Sequence, residues 1–260
     1  MVQKNLDAVI EQGRRSGRPM FAHVNHPNFY QAITAEDLVA LDHETGEGFF
    51  EVYNGHSGVR NEGDARFPGV EQMWDIVLAR RIGERKTTIT YGVATDDAHE
   101  YTKWGLRSVN PGRGWVMVRA PRLTPDSISA AMKRGDFYNS TGVTLKSLER
   151  AGKTLAVEIA AEPDVTYTVE FVGTRRSASL VGTDNAGAET NMPQGRASLR
   201  YGSSIGEVLS RVEGTKASYT LKGDELYVRA RIISSKPHPN PYAAGDREMA
   251  WTQPLLGTAD

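Results

Sequence analysis

The sequence predicts an α/β chain: about four barrel-type βα units over residues 1–148, then an antiparallel β module over residues 149–260. Three observations carry that expectation. Helical stripes alternate with short apolar strand runs through the first half. Two of those runs end in side chains competent to hold a metal, the arrangement of a barrel mouth. After about residue 150 the pattern changes to alternation of apolar and polar residues, broken by Gly- and Asp-rich turns.

Val2 to Arg14 reads as a helix with Leu6, Val9 and Ile10 on one face. The first strand run is Met20 to Val24, and Pro27 stops it just after His26. Thr34 suits an N-cap, with Glu36 and Asp37 in the first turn and Leu38 and Leu41 as a short apolar stripe. Phe49 to Tyr53 is the second strand. Val70, Met73, Trp74, Val77, Leu78 and Ile82 then recur at helical spacing, predicting a helix packed on a sheet. Thr88 to Ala94 and Trp115 to Ala120 are the third and fourth strands. Pro125 sits at a first helical position, Ile128, Ala131 and Met132 face inward, and Gly135 ends the run.

In the β module, Leu155 to Ile159, Val165 to Val172, Ser218 to Leu221 and Leu226 to Ile232 read as strands. Ala151-Gly152-Lys153 and Lys222-Gly223-Asp224 read as hairpin turns, and Gly182 to Gln194 as a polar loop. Prolines 237, 239 and 241 make a stiff connection, after which Trp251 closes the chain against a core.

Composition narrows the chemistry. A net charge of -1 gives no basic footprint for nucleic acid. With no cysteine, disulfides, thiolate zinc sites and thiol catalysis are excluded, which leaves His and carboxylates as ligands. No run approaches the roughly 20 apolar residues of a membrane helix, and no signal peptide is read after Met1. Localisation stays unassigned on these grounds.

Asp97 and His99 are the leading candidates, because residues two apart on extended backbone project to one side and can share a divalent cation. His26 is delivered by the other strand end. His23, three residues earlier on the opposite face, is read as packing or supporting a ligand from behind. Asp96 either caps the next segment or orients a ligand. Glu51 is an acid inside an apolar strand, expensive to bury unpaired, and stands either as a paired structural acid or as a group acting on the reaction centre. Asn54 and His56 follow where substrate-contacting loops belong. Arg113 and Arg119 flank another strand and suit a bidentate phosphate clamp, with surface ion pairing as the alternative. His43 and His238 read as solvated.

Taken in order, His26-Pro27-Asn28, Glu51-Val52-Tyr53-Asn54-Gly55, Trp74-Asp75, the Gly92 to His99 run and Gly135 to Gly142 resemble the later part of a PHP domain. This is the polymerase and histidinol phosphatase superfamily of metal-dependent phosphoesterases. The resemblance covers about residues 1 to 148 and implies a distorted seven-stranded (β/α) barrel carrying up to three divalent metals (Mn, Fe or Zn) at the strand ends. The late Asp-x-His motif falls on Asp97 and His99, and the His-Pro motif on His26. The early His-x-His motif and the ligands that follow it have no counterpart in the 260 residues. The resemblance therefore implies a barrel lacking its N-terminal segment, with two open parallel edges, acting on a small phosphorylated substrate. It implies weak catalysis or none from this chain alone. A degenerate barrel kept as a non-catalytic scaffold is the alternative, with Tyr167, Tyr201, Tyr219, Tyr227 and Trp251 available for stacking contacts.

Overall fold

The computed structural model describes residues 2–42, 48–85, 89–185 and 198–257. His43 and most of the expected 182–194 loop lie outside them. Helix α1 (Val2–Ser16) forms where the apolar stripe predicts it and buries Leu6. Helix α2 (Ala35–Ala40) begins at a reciprocal cap. The Asp37 amide donates to the Thr34 hydroxyl at 3.2 Å, and the Thr34 amide donates to the Asp37 carboxylate at 3.0 Å. Strands β1 (Gly48–Asn54) and β2 (Thr90–Thr95) pair in parallel. Between them runs α3 (Val70–Arg80), which continues as a π-helical segment over Arg81–Arg85.

The barrel expectation fails at the next strand. β3 (Trp115–Val118) is followed by α4 (Pro125–Lys133) and β4 (Phe137–Ser140), but β3 and β4 run antiparallel as neighbours. Both belong to a seven-stranded sheet that also takes β7 (Tyr167–Arg175), β8 (Glu207–Glu213), β10 (Glu225–Pro237), β11 (Arg247–Thr252) and β12 (Leu255–Leu256). A second antiparallel sheet holds β5 (Leu145–Ala151), β6 (Thr154–Ile159) and β9 (Lys216–Thr220). Strand outweighs helix, 34% against 20%, which does not fit a ring of βα units. An alternation of strand and helix read along a chain carries no information about strand direction. That gap produced the error.

Two further expectations are corrected. Met20 to Val24 reduces to one parallel bridge, Val24 to Phe50, in a segment bounded by Pro19 and Pro27, neither of which can donate to a ladder. The 151–153 turn does join β5 to β6, but the 222–224 turn leads from β9 in one sheet to β10 in the other and closes no hairpin. Since the seven-stranded sheet draws strands from both sides of residue 148, the expected division there does not separate two hydrogen-bonded units.

β10 explains how the layers meet. Val228, Ala230 and Ile232 face the three-stranded sheet and share a core with Leu155, Val157 and Phe171. Tyr227, Arg229 and Arg231 point the other way, onto α3. There Glu71 and Asp75, one helical turn apart, receive them. Arg229 is fully buried: its Nε and Nη2 donate to Asp75 at 2.9 and 2.6 Å, and its Nη1 lies 2.8 Å from Glu71. The Tyr227 hydroxyl donates to Asp75 at 2.8 Å, and the Arg229 guanidinium sits 4.9 Å from the Trp74 ring centroid. Helix α3 is consequently buried from Met73 to Ala79, with Gln72 exposed near its start and β1 and β2 on its other flank.

The outer edge of β2 is closed, so the open edge implied by a partial barrel is absent there. Asn139 donates to Gly92 O at 3.0 Å and accepts from the Ala94 amide at 2.9 Å. Gln253 accepts from the Gly92 amide at 3.1 Å and donates to Gly92 O at 2.8 Å. Two side-chain amides thus stand in for a neighbouring strand. Gly92 is needed at this place because a Cβ would lie 2.5 Å from Val52 Cγ1.

Replacing Asn139 or Gln253 by Ala should destabilise the protein by about 1–3 kcal/mol each, the usual penalty for orphaning buried backbone groups; a urea midpoint that does not move would refute the edge-closing role. A second expectation concerns acid. Burial alone would raise Glu71 and Glu170, but Arg229 and Arg231 facing Glu71, and Arg231 and Arg211 facing Glu170, hold both carboxyls below their ordinary value of 4.5. Their stabilisation is therefore fully present above about pH 4.5 and lost as pH falls through the depressed values. Urea midpoints should begin to decline below about pH 6.5, where burial keeps His23 and His238 from protonating in the folded state, and drop further below about pH 5 as Glu71 and Glu170 lose their pairing.

Candidate functional site

The parallel strands β1 and β2 end at the same side of the molecule, and the chain leaving Val24 ends beside them. That convergence assembles the sequence-predicted side chains. Glu51, 2% exposed, accepts from the His26 backbone amide at 2.6 Å and from Asn54 Nδ2 at 2.7 Å, both on Oε2. Asn54 Nδ2 also reaches Asp97 Oδ2 at 3.2 Å, and Asp97 Oδ1 lies 3.3 Å from His99 Nε2. Among the described residues Glu51 is thus held by hydrogen bonds and not by an arginine or lysine, which makes its burial tolerable.

Backbone strain marks the same two candidates. His26 has φ 26° and Asp97 φ 49°, in the left-handed region that non-glycine residues adopt at a cost. In each case the surrounding bonds hold the conformation: Glu51 grips the His26 amide, and Asn54 and His99 flank the Asp97 carboxylate.

His56 joins the group from the loop after β1. Its amide donates to Asn54 Oδ1 at 2.7 Å, and its ring meets His99 edge-on with centroids 5.7 Å apart. Because Nδ1 accepts from the Gly58 amide at 2.9 Å, the neutral ring carries its proton on Nε2. His26 and His56 both pack on Phe29, at 5.1 and 5.4 Å between centroids. Burial lowers the His23 pKa, against an opposing pull from Glu51, so His23 is neutral at pH 7 and lies in the field of the site's buried acid.

Three expectations change. Arg113 is fully buried and donates to the carbonyl oxygens of Gly55 at 2.8 Å and Gly105 at 3.1 Å, so its fork organises loops and is not presented to a phosphate. Gly55 permits this approach, since a Cβ there would stand 2.7 Å from Arg113 Cβ. His238, expected in solvent, is 5% exposed, with Nδ1 accepting from the Asn240 amide at 3.0 Å. Tyr167, Tyr219, Tyr227 and Trp251 are buried, which removes them from any surface stacking platform. Asp96 accepts from the Gly112 amide at 2.7 Å, tying the strand end to the loop before β3. Arg119 forms a surface pair with Asp136 at 3.7 Å.

The residue that sequence reasoning missed is Asn61. Its side-chain amide clamps the Asn54 backbone in both directions, accepting from N at 3.0 Å and donating to O at 2.8 Å. No periodicity or spacing announces it. Among the described residues no three His, Asp or Glu side chains are grouped closely enough to form a complete metal centre, and no helix is long and apolar enough to cross a membrane. No protein-family model matches the chain, and no curated protein matches it in sequence.

Substituting Glu51 by Ala leaves the His26 amide and the Asn54 side chain without their acceptor. The loss should be about 3 kcal/mol, and Glu51→Gln, which retains one acceptor oxygen, should lose less. Equal urea midpoints for Glu51→Ala and the wild type would show that Glu51 does not organise the site.

Proposed function

We propose that this chain binds a divalent cation through Asp97 and His99 and takes part in metal-dependent phosphoester hydrolysis of the polymerase and histidinol phosphatase type. The observation that supports the reading most directly is the 3.3 Å separation of Asp97 Oδ1 and His99 Nε2. Two donors sharing one ion at bond lengths near 2.1 Å sit about 3.0–3.4 Å apart, so these atoms fit a common cation without rearrangement. His99 is 67% exposed at its side chain and Asp97 24%, which leaves the pair reachable from solvent.

The donor set suits a borderline or hard divalent ion such as Mn, Fe or Zn. Such an ion lowers the pKa of a bound water and offsets charge on a phosphoryl oxygen. This chain's own residues do the rest. Asn54 orients the Asp97 carboxylate, Glu51 fixes the backbone turn that presents His26, and the His56 Nε2–H would serve as a donor to a substrate oxygen. His26 is the third ligand implied by the family resemblance. Water would complete the coordination of an ion held by Asp97 and His99.

Calorimetric titration with Mn2+ and Zn2+ tests the reading. One ion per chain is expected, and Asp97→Asn or His99→Ala should weaken it by at least about tenfold, the lower end of what loss of a supporting partner alone produces. Unchanged affinity in both variants would refute the assignment. Metal binding without any hydrolysis of p-nitrophenyl phosphate would instead identify a binding scaffold.

A further inference from the structure

A second cavity, of about 250 Å³, lies where the segment after β1 meets β10, β11 and the chain between them. It is separate from Asp97 and His99, although Asn61, which clamps Asn54, forms part of its wall. Its aromatic side is built from Tyr53 and Trp251, stacked with centroids 5.8 Å apart, together with Tyr242. Its charged side carries Glu62, Glu71, Asp246 and Arg231.

Those charges are not evenly matched. Arg211, Arg229 and Arg231 face Glu71, Asp75 and Glu170 in one connected network, three guanidiniums to three carboxylates. Arg247, also on the wall, donates to the Ser235 carbonyl oxygen and keeps its positive charge, with no salt bridge among the described residues. Glu62 and Asp246 are left without a salt bridge among the described residues. Asp246 accepts the Ala243 amide at 2.7 Å. Partial burial, and then the carboxylates of Glu71 and Asp246, push the Glu62 carboxyl above its ordinary value, against a smaller opposing pull from Arg231.

Buried nitrogen donors line the same space. Trp251 and His238 are 4% and 5% exposed, and neither Trp251 Nε1 nor His238 Nε2 makes a hydrogen bond of full geometry. The Trp251 side chain approaches the Glu71 carboxylate and His238 the Arg113 backbone. The Tyr53 hydroxyl is likewise without a protein partner among the described residues.

We propose that this cavity binds a small hydroxylated organic amine, an amino alcohol or amino sugar, with its ammonium group between Glu62 and Asp246. The aromatic rings supply the cation–π and stacking surface for the ligand body, and the Tyr53 hydroxyl meets a ligand oxygen. Unpaired carboxylates beside aromatic faces form an environment that favours a cation over a neutral or anionic guest.

The test uses the full chain, with glucosamine and choline as probes and glucose as the neutral control, read by calorimetry and saturation-transfer NMR. Glucosamine or choline should bind while glucose does not, and Glu62→Gln and Asp246→Asn should each weaken binding about tenfold or more with melting temperature unchanged. Equal binding of glucose, unaltered affinity in both variants, or no binding of either cation up to about 10 mM would overturn the proposal. Because neither substitution touches Asp97 or His99, Mn2+ titration of the same variants separates this outcome from failure of the metal reading.

Discussion

The ion pair between Arg229 and Asp75 is the constraint on which the remaining architecture rests. A guanidinium removed from water is tolerable only with its donors matched. Here Asp75, Glu71 and the face of Trp74 surround it, and Tyr227 completes Asp75. The match also fixes register. A one-residue slip of β10 would turn Arg229 toward the apolar face held by Val228, Ala230 and Ile232, and leave both acids of α3 unpaired. The pair need not add much net stability over a hydrophobic equivalent. What it does is make one seating of α3 on β10 far better than its neighbours.

That seating positions the candidate site. With α3 fixed against the seven-stranded sheet, its opposite flank receives Phe50 and Val52 of β1 and packs against Gly92 of β2. The two strands are held parallel with their ends aligned, and the amides of Asn139 and Gln253 fix β2 from the far side. Glu51, Asn54 and Asp97 come together because the strand ends do. The Asp97 and His99 pair is therefore supported from both halves of the chain.

Helices α1 to α4 were legible because each carries its own local signal, whether an apolar stripe, the Thr34 cap or Pro125 at a first helical position. Glu51, Asn54, His56, Asp97 and His99 were legible as candidates because strand ends collect chemistry. Strand direction was not. The run Leu226 to Ile232 reads as a strand of alternating apolar and polar residues, yet both its faces are buried, since Glu71 and Asp75, which receive Arg229, lie more than 150 positions earlier in the chain. Asn139 and Gln253 were invisible for the same reason: a side-chain amide that replaces a strand partner has no sequence period. Arg113 and His238 show the reverse error, in which polar residues in loop-like sequence were read as available when the fold had enclosed them.

Native-state hydrogen exchange tests the central claim most directly, comparing the amides of Val52 and Ala94 in the parallel strands with those of Ala230 and Ile232 in β10. If the buried pair welds the layers into one cooperative unit, all four exchange through the same global opening, and Asp75→Asn lowers their protection by the same amount. Protection lost only at Val52 and Ala94, with Ala230 and Ile232 unchanged, would contradict it by showing that the parallel strands unfold on their own.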